Sequence, residues 1–544
     1  MGRNNGAADS AFNGQFSTLG MLVGASLGLG ARSVPQWSDG EQALVSGLSA
    51  VNGALVVESK AGICAGHDPL GDAYCAILSG KDRHSLGQVY TPDLIVKAML
   101  DWAKASGKRP VRVVDPGSGS GRFVAAAGRV FPDAELIAVD IDPMATLMTR
   151  ATLATLGFAS RSRVQLGDFR TLNLDAVDGP TLFVGNPPYV RHHLIDSRWK
   201  QWLLETAASY GHRASALAGL HAHFFLATRA LARPGDIGAF VTSSEWLDVN
   251  YGSLVRELLL DGLGGVGVDV LAPESEPFEG TATTAAITTF EVGTKPASIR
   301  LRSVPSIAQL APLQGGRSVS RVQLAVEPRW SVLVRSAPQL PTGWVELGEL
   351  CRVHRGAVTG ANAVWVTGSG ETDLPSQVLF PSITRARELF AAGAALIDAA
   401  ALRLVVDIPA DIDGFDSAER KKIEKFLRGA KRRGAANAYV ARNRANWGTI
   451  GLRDPAPILA TYMARRPPAF VRNLAHVRHI NIAHGIYPRG PMTPLMLDRL
   501  ADALRASVTV SQGRTYAGGL TKFEPREMER LPVPTIAMLE GAFS

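Results

Sequence analysis

A chain of 544 residues is too long for one hydrophobic core and is expected to divide into two or three domains. Its apolar fraction, 46%, is that of a globular protein, and a net charge of +8 with a pI near 9.5 permits a polyanionic partner without requiring one. Three cysteines (Cys64, Cys75, Cys351) give no CxxC pair and no even framework, so reduced cytoplasmic thiols are the default, and no apolar run reaches the ~18 residues of a membrane span.

Residues 1–80 read as an N-terminal extension or cap. The first fifteen are polar and small and are expected to be disordered. The apolar, Gly-rich run Leu19 to Leu29 imitates an export signal, but no basic cluster precedes it, so export is rejected. His67 and Asp68 near Cys64 read as a loop rather than a metal site, and no chemistry is assigned to this segment. Gly87-Gln88-Val89-Tyr90-Thr91-Pro92 then opens a helix, Asp93 to Lys104, with Thr91 as the expected N-cap and apolar residues at helical spacing.

A strand from Val111 enters a Gly-rich turn, Asp115-Pro116-Gly117-Ser118-Gly119-Ser120-Gly121, followed by a helix from Arg122 to Val130. Such a turn lets a ligand approach the backbone and a helix N-terminus, although alone it is a weak signal. The next strand, Glu135 to Val139, ends in Asp140-Ile141-Asp142, where an acid suits a ribose diol. A third, Arg163 to Leu166, ends in Gly167-Asp168-Phe169, an acceptor for an adenine amino group beside a ring. A fourth apolar strand ends in Asn186-Pro187-Pro188-Tyr189. That tetrapeptide alone is also compatible with an ordinary strand-to-loop exit. Four successive strand ends nonetheless carry Asp115, Asp140, Asp168 and Asn186 at the spacing of β–α units, the pattern of an α/β fold with a ligand beyond its strand ends.

The Asn-Pro-Pro-Tyr corner suits an amine on a heteroaromatic ring. Two prolines remove two N–H donors, which leaves acceptors: the Asn186 amide oxygen and the Pro187 carbonyl. Together they would take both N–H bonds of the amine and localise its lone pair, while Tyr189 stacks on the ring.

This order of motifs resembles the S-adenosylmethionine-dependent DNA methyltransferases of the amino (N6-adenine) type, most closely the gamma, TaqI-like arrangement. The resemblance spans roughly residues 84–535 and is most specific over 111–190. It implies a Rossmann-like, seven-stranded class I methyltransferase domain over residues 81–295, then a mixed α+β target-recognition domain over 343–535. The cofactor would be S-adenosyl-L-methionine. Thr91, Asp115, Gly117 and Gly119 would hold its methionine end, Asp140 its ribose, and Asp168 with Phe169 its adenine, with Ile141 as a further cofactor contact. Asn186, Pro187, Pro188 and Tyr189 would be catalytic, and Phe278 with Tyr189 would sandwich a flipped adenine. The methyl transfer needs no metal, so His192, His193, His221 and His223 are assigned to DNA-facing or core positions.

Strands five and six are expected over Gly235 to Thr242 and Gly264 to Leu271, with a final strand ending at Glu291. Residues 296–342, rich in Pro, Ser and Gln, read as a linker. Beyond it, Val353 to Val366, Pro457 to Tyr462, Asn481 to Pro488 and Tyr516 to Glu527 resemble the family's specificity domain, and Leu531-Pro532-Val533-Pro534 reads as a terminus docking back. From Arg420 to Ile480 the chain carries fifteen Lys and Arg against Glu424 and Asp454, a local net of +13 that exceeds the whole chain's +8. With Tyr439, Trp447, Tyr462 and Phe470 interleaved, this reads as a surface for double-stranded DNA, with Arg432, Arg433, Arg442, Arg444, Arg465 and Arg466 as contacts.

The expectation is a monomeric, cytoplasmic enzyme that methylates site-specifically, with room for a separate restriction endonuclease as partner. Cytosine-N4 methylation is the nearest alternative, since it uses similar acceptors. A protein glutamine methyltransferase shares the corner but is shorter and lacks a basic C-terminal domain. A DNA-binding module that has lost catalysis is disfavoured by the intact corner, and residues 1–80 are too short for a fused nuclease.

Overall fold

The computed structural model describes residues 16–46, 52–78, 91–271, 285–334, 340–368, 370–516 and 520–541. Phe278, Tyr90 and the first fifteen residues lie outside them. The chain divides into two compact units, residues 1–337 and 338–544.

The first unit is built on a nine-stranded sheet. In chain order its strands are β1 (Arg112–Pro116), β2 (Glu135–Asp140), β3 (Ser162–Leu166), β4 (Thr181–Gly185), β5 (Ile237–Ser243), β6 (Gly265–Leu271), β7 (Ala285–Glu291), β8 (Ser298–Val304) and β9 (Arg317–Ser320). Their spatial order is β3-β2-β1-β4-β5-β7-β6-β8-β9. β1 to β5 run parallel, and β7 lies antiparallel between β5 and β6. Period-two alternation sends Val113, Leu136, Leu182 and Val184 to one face and Val114, Ile137 and Phe183 to the other. Both faces are covered, so the strands read as near-continuous apolar runs.

Seven strands were expected and nine are present. The two extra strands come from the stretch read as a linker: β8 joins β6 in parallel and β9 pairs antiparallel with β8. Ile299 and Leu301 point into the core, while Arg300 and Arg302 both close on Asp269 of β6, which is fully buried. A reading by composition averages this alternation away.

The N-terminal residues 16–78 form helices Leu19–Gly28, Asp39–Val45, Gly53–Ala65 and Pro69–Ile77, which pack on the helix Pro143–Thr155 between β2 and β3. The run that imitates an export signal is therefore the first of these helices, capped by Thr18. Their attachment centres on Arg150. Its Nε donates to Glu41, Nη1 to the carbonyls of Val34 and Pro35, and Nη2 to those of Gln36 and Val164. Arg150 and Glu41 are both wholly buried.

The second unit is mixed α+β. A five-stranded sheet orders the strands Cys351–Arg355, Ala483–Pro488, Ile458–Thr461, Phe470–Asn473 and Ala395–Leu396, and a four-stranded sheet holds Leu379–Ile383 and Leu404–Val406 at its centre. The helices Ser417–Arg432 and Pro494–Ser507 complete it. Pro532–Pro534 pairs antiparallel with Trp344–Glu346, so the end of the chain does dock back on the start of this unit. No helix among the described residues is long and apolar enough to cross a membrane.

Removing one partner of a wholly buried ion pair leaves the other charge stranded, at about 3–5 kcal/mol. Arg150→Ala is expected to lower the stability of the first unit by that amount; a urea titration with an unmoved midpoint would contradict the role given to Arg150.

Candidate functional site

The strand order reverses between β1 and β4, and there a cavity of about 530 Å3 opens at the carboxyl ends of β1 to β4. This is where open α/β sheets hold ligands, and the volume suits a small molecule.

Asp115 ends β1 fully buried, and its Oδ2 accepts from the Val124 N–H at 3.0 Å, which fixes the start of the helix Arg122–Val130. Burial pushes its carboxyl up to about 8. The N–H groups of Gly117 and Ser118 donate to the Val139 carbonyl at 2.8 and 3.1 Å, tying the turn to β2. Gly117 has φ +69°, and a Cβ there would lie 3.2 Å from Pro188 Cδ, so a side chain would both strain the turn and crowd the corner.

Asp140 ends β2. Its Oδ2 accepts from the Gly119 N–H and its Oδ1 from the Asp142 N–H, each at 2.9 Å, and burial pushes its carboxyl up to about 6. Ile141 beside it is 64% exposed on the cavity wall.

Asp168 lines the cavity at the end of β3. Its carboxylate accepts from Arg170 Nε at 2.8 Å and Nη2 at 2.6 Å across a tight turn. The Arg170 guanidinium lies 3.8 Å from the Trp199 ring, and its Nη1 is 3.2 Å from His223 Nδ1. Arg170 and Trp199 line the cavity and were missed in the sequence, because only the fold brings residue 199 to the end of β3. Phe169 is buried with its ring 5.3 Å from that of Phe224.

At the end of β4, Asn186 and Pro188 line the cavity and Pro187 is buried behind them. The Asn186 Nδ2 donates to Thr91 Oγ1 at 2.9 Å. Thr91 is thus not the expected N-cap: the helix Asp93–Ala105 begins with Pro92 in the cap position and no side-chain capping bond. The Thr91 hydroxyl orients the amide instead. Tyr189 is half-buried, packs against the apolar face of the sheet that carries Val113 and Val184, and is not among the cavity-lining residues.

The largest departure is the N-terminal segment, to which the sequence assigned no chemistry. Asp68, Gly71, Tyr74 and Cys75 line the cavity. Asp68 caps the helix Pro69–Ile77 through the Gly71 N–H at 3.0 Å, accepts a hydrogen bond from Ser120 of the Gly-rich turn, and pairs with Arg122 at 3.3 Å. The Tyr74 hydroxyl donates to Asp142 Oδ2 at 2.7 Å. Asp68-Pro69 was legible as a helix start, but nothing local places that helix over a turn some fifty residues on. His221 and His223 are buried and drawn down by burial, to about 4 and about 3, and no metal-binding group occurs among the described residues.

In the second unit Arg432, Arg433, Arg442, Arg465 and Arg466 of the six expected DNA contacts are exposed, and Arg444 is half-buried. Arg433 donates to the Ala363 carbonyl and Arg444 to that of Val358, while the Arg466 guanidinium lies 3.4 Å from the Phe390 ring. Of the aromatics expected among them, Phe470, Tyr462 and Trp447 belong to the cores, and only Tyr439, 83% exposed, stands out.

Comparison with known proteins places this geometry. The N-6 DNA Methylase family matches residues 65–218, the Eco57I restriction-modification methylase family residues 181–262, and the family of the Type II methyltransferase M.Eco57I C-terminal domain residues 338–543. The chain is 52% identical over 455 residues to the Type II methyltransferase M.XamI of Xanthomonas campestris pv. amaranthicola, covering 84% of this chain and 86% of that protein. It is 21% identical over 498 residues to the Type II methyltransferase M.AccI of Acinetobacter calcoaceticus, covering 86% and 88%. Among solved structures, the Type IIL restriction-modification enzyme MmeI in complex with DNA matches with a TM-score of 0.51 at 15% identity, covering 80% of this chain and 67% of that one.

A side chain at a left-handed position costs about 1–2 kcal/mol before any clash with Pro188 is counted. Gly117→Ala is expected to lower the stability of the first unit by at least that much, and a denaturation midpoint equal to that of the parent chain would show that the turn does not need this glycine.

Proposed function

The chain belongs to the type II methyltransferases exemplified by M.XamI, and from that premise we infer that it moves a methyl group from S-adenosylmethionine to N6 of an adenine extruded from duplex DNA. Adenine-specific DNA methylation in a restriction-modification system is its activity. The observation that carries the chemistry is the Thr91–Asn186 hydrogen bond, which turns the amide nitrogen toward the helix Asp93–Ala105 and makes the amide oxygen the acceptor of the corner.

The cavity suits the methyl donor. Asp140 keeps a second lone pair on each oxygen after its two backbone bonds, enough for two ribose hydroxyls. Gly117 and Gly119 leave the methionine end room, and Ile141 offers an exposed apolar face to the purine. Asp68, Tyr74 and Cys75 close the opposite side. S-adenosylmethionine, when bound, supplies a methyl group made electrophilic by its positive sulfur.

The protein's part is then to present the amine. N6 of a paired adenine is engaged in the duplex, so the base leaves the stack first. The Asn186 Oδ1 and the Pro187 carbonyl accept its two N–H bonds, which localises the lone pair for in-line attack and stabilises the charge that develops on nitrogen. Tyr189 and Phe278 are the proposed stacking partners, and the exposed arginines of the second unit bind the duplex. With the electrophile already activated, positioning supplies much of the rate.

Asn186→Ala is expected to bind S-adenosylmethionine as the parent does and to transfer methyl groups about a hundredfold or more slowly. Unchanged single-turnover rates would remove Asn186 from the chemistry. The pH dependence of cofactor binding has a definite sign. The ribose hydroxyls favour the ionised carboxylate of Asp140, whose carboxyl sits at about 6. Affinity by calorimetry therefore rises as pH increases through about 6 and is lost below it; Asp140→Asn should bind more weakly and flatten that rise, and an identical pH profile would refute the ribose assignment.

A further inference from the structure

The second unit holds a cavity of about 700 Å3 lined by Arg352 and His354 of the strand Cys351–Arg355, by Leu452, Arg453 and Asp454 of a loop, and by Tyr487, Pro488 and Arg489 at the end of the strand Ala483–Pro488. Three arginines converge there from three separate stretches of chain, and all three are exposed. Arg489 is held at the rim, because its Nε donates to the Gly348 carbonyl at 2.7 Å and its backbone N–H to that of Leu350 at 2.9 Å. The one carboxylate of the lining, Asp454, pairs at 3.6 Å with Arg478, which is not part of the lining. The Tyr487 hydroxyl donates to the Asp454 carbonyl at 2.8 Å, and its ring lies 5.6 Å from that of His354. Burial foremost, then Arg453 and Arg352, against the opposing pull of Glu529, hold His354 below its ordinary range.

Among the arginines singled out by charge density, Arg433 and Arg444 each donate to a backbone carbonyl, as Arg489 does, and Arg466 stacks on a ring, while Arg433 and Arg466 stay exposed. What sets Arg352, Arg453 and Arg489 apart is that they share one concavity. A cavity with a net excess of guanidinium groups and no carboxylate left uncompensated is suited to a polyanion.

We propose that this cavity seats the sugar–phosphate backbone of the duplex, with Arg352, Arg453 and Arg489 each donating to a phosphate oxygen and Pro488 lying against a sugar. The proposal rests on the DNA-methylating reading above and names the surface that reading needs.

The test uses the full chain and linear plasmid DNA, with binding measured by filter retention over a range of KCl concentrations. Every phosphate that a variant no longer neutralises should reduce the slope of log K against log salt by about 0.9. The triple variant Arg352→Ala/Arg453→Ala/Arg489→Ala is expected to show a slope smaller by about 2–3 and an affinity at least about tenfold weaker. The comparison triple Arg432→Ala/Arg442→Ala/Arg465→Ala is expected to change less in both. Equal or smaller changes in the cavity variant would overturn the proposal. A parent chain that neither binds nor methylates DNA would overturn the functional reading instead, so the two failures are distinguishable. Thermal unfolding and S-adenosylmethionine calorimetry check that the variant is folded. If the triple variant does not fold, the single loop variant Arg453→Glu carries the same comparison, and an unchanged slope there also overturns the proposal.

Discussion

Everything at the ligand end of the first unit depends on one buried cation. Taking the Arg150 guanidinium out of water is tolerable only because its N–H groups all find acceptors, one carboxylate and four carbonyls. Those acceptors belong to the N-terminal segment and to β3, so a single side chain of the helix Pro143–Thr155 binds the roof to the sheet. The same helix is capped by the carboxylate of Asp142, which also receives the Tyr74 hydroxyl and follows Asp140 by two residues. Roof, helix and strand end are therefore one mechanical piece, and the cavity between them has a defined width.

Within that piece, polar groups are spent on shape as much as on ligand. Asp115 holds a helix start, Asp140 holds the Gly-rich turn and Asp168 holds Arg170, each through bonds to the protein itself. The acids at the strand ends form the frame on which the turn and the corner are hung. Asn186 follows the same logic, since a hydroxyl from a segment 95 positions earlier holds one end of its amide. On the proposed reading, the acceptors of the corner are thereby fixed before the amine arrives, which is how preorganisation lowers a barrier.

How much of this is legible in the sequence follows the range of the interactions. The four strand ends were legible because each is a local pattern: an apolar run, then an acid or amide, then Gly or Pro. The spacing of β–α units announced a parallel α/β sheet, and the structure supplies its order, β3-β2-β1-β4-β5. Contacts between distant segments were not legible. Thr91 satisfies the local rule for an N-cap, and only the fold reveals that its hydroxyl serves Asn186. Arg170 and Trp199 meet only once β3 and the segment after the corner are side by side. The helix that carries Asp68 and Tyr74 looks like any amphipathic helix until it lies over the Gly-rich turn. Charge density has a related limit: a window along the chain sums arginines near in sequence, some of which also bond within the fold, and cannot sum Arg352 with Arg489. The stretch 296–342 misled because its average composition hid four alternating residues, Ile299 to Arg302.

Those two added strands also change how the molecule meets its own kind. A sheet that stopped at β6 would present a seven-residue edge of unpaired backbone groups, a template on which another copy could add a strand. β8 covers that edge, and β9 ends the sheet in four residues that open with an arginine. On the far side the sheet closes with β3, five residues long and carrying Arg163. Among the described residues, both margins of the large sheet are thus short and bear a cation, the form in which a wide mixed sheet resists edge-to-edge aggregation.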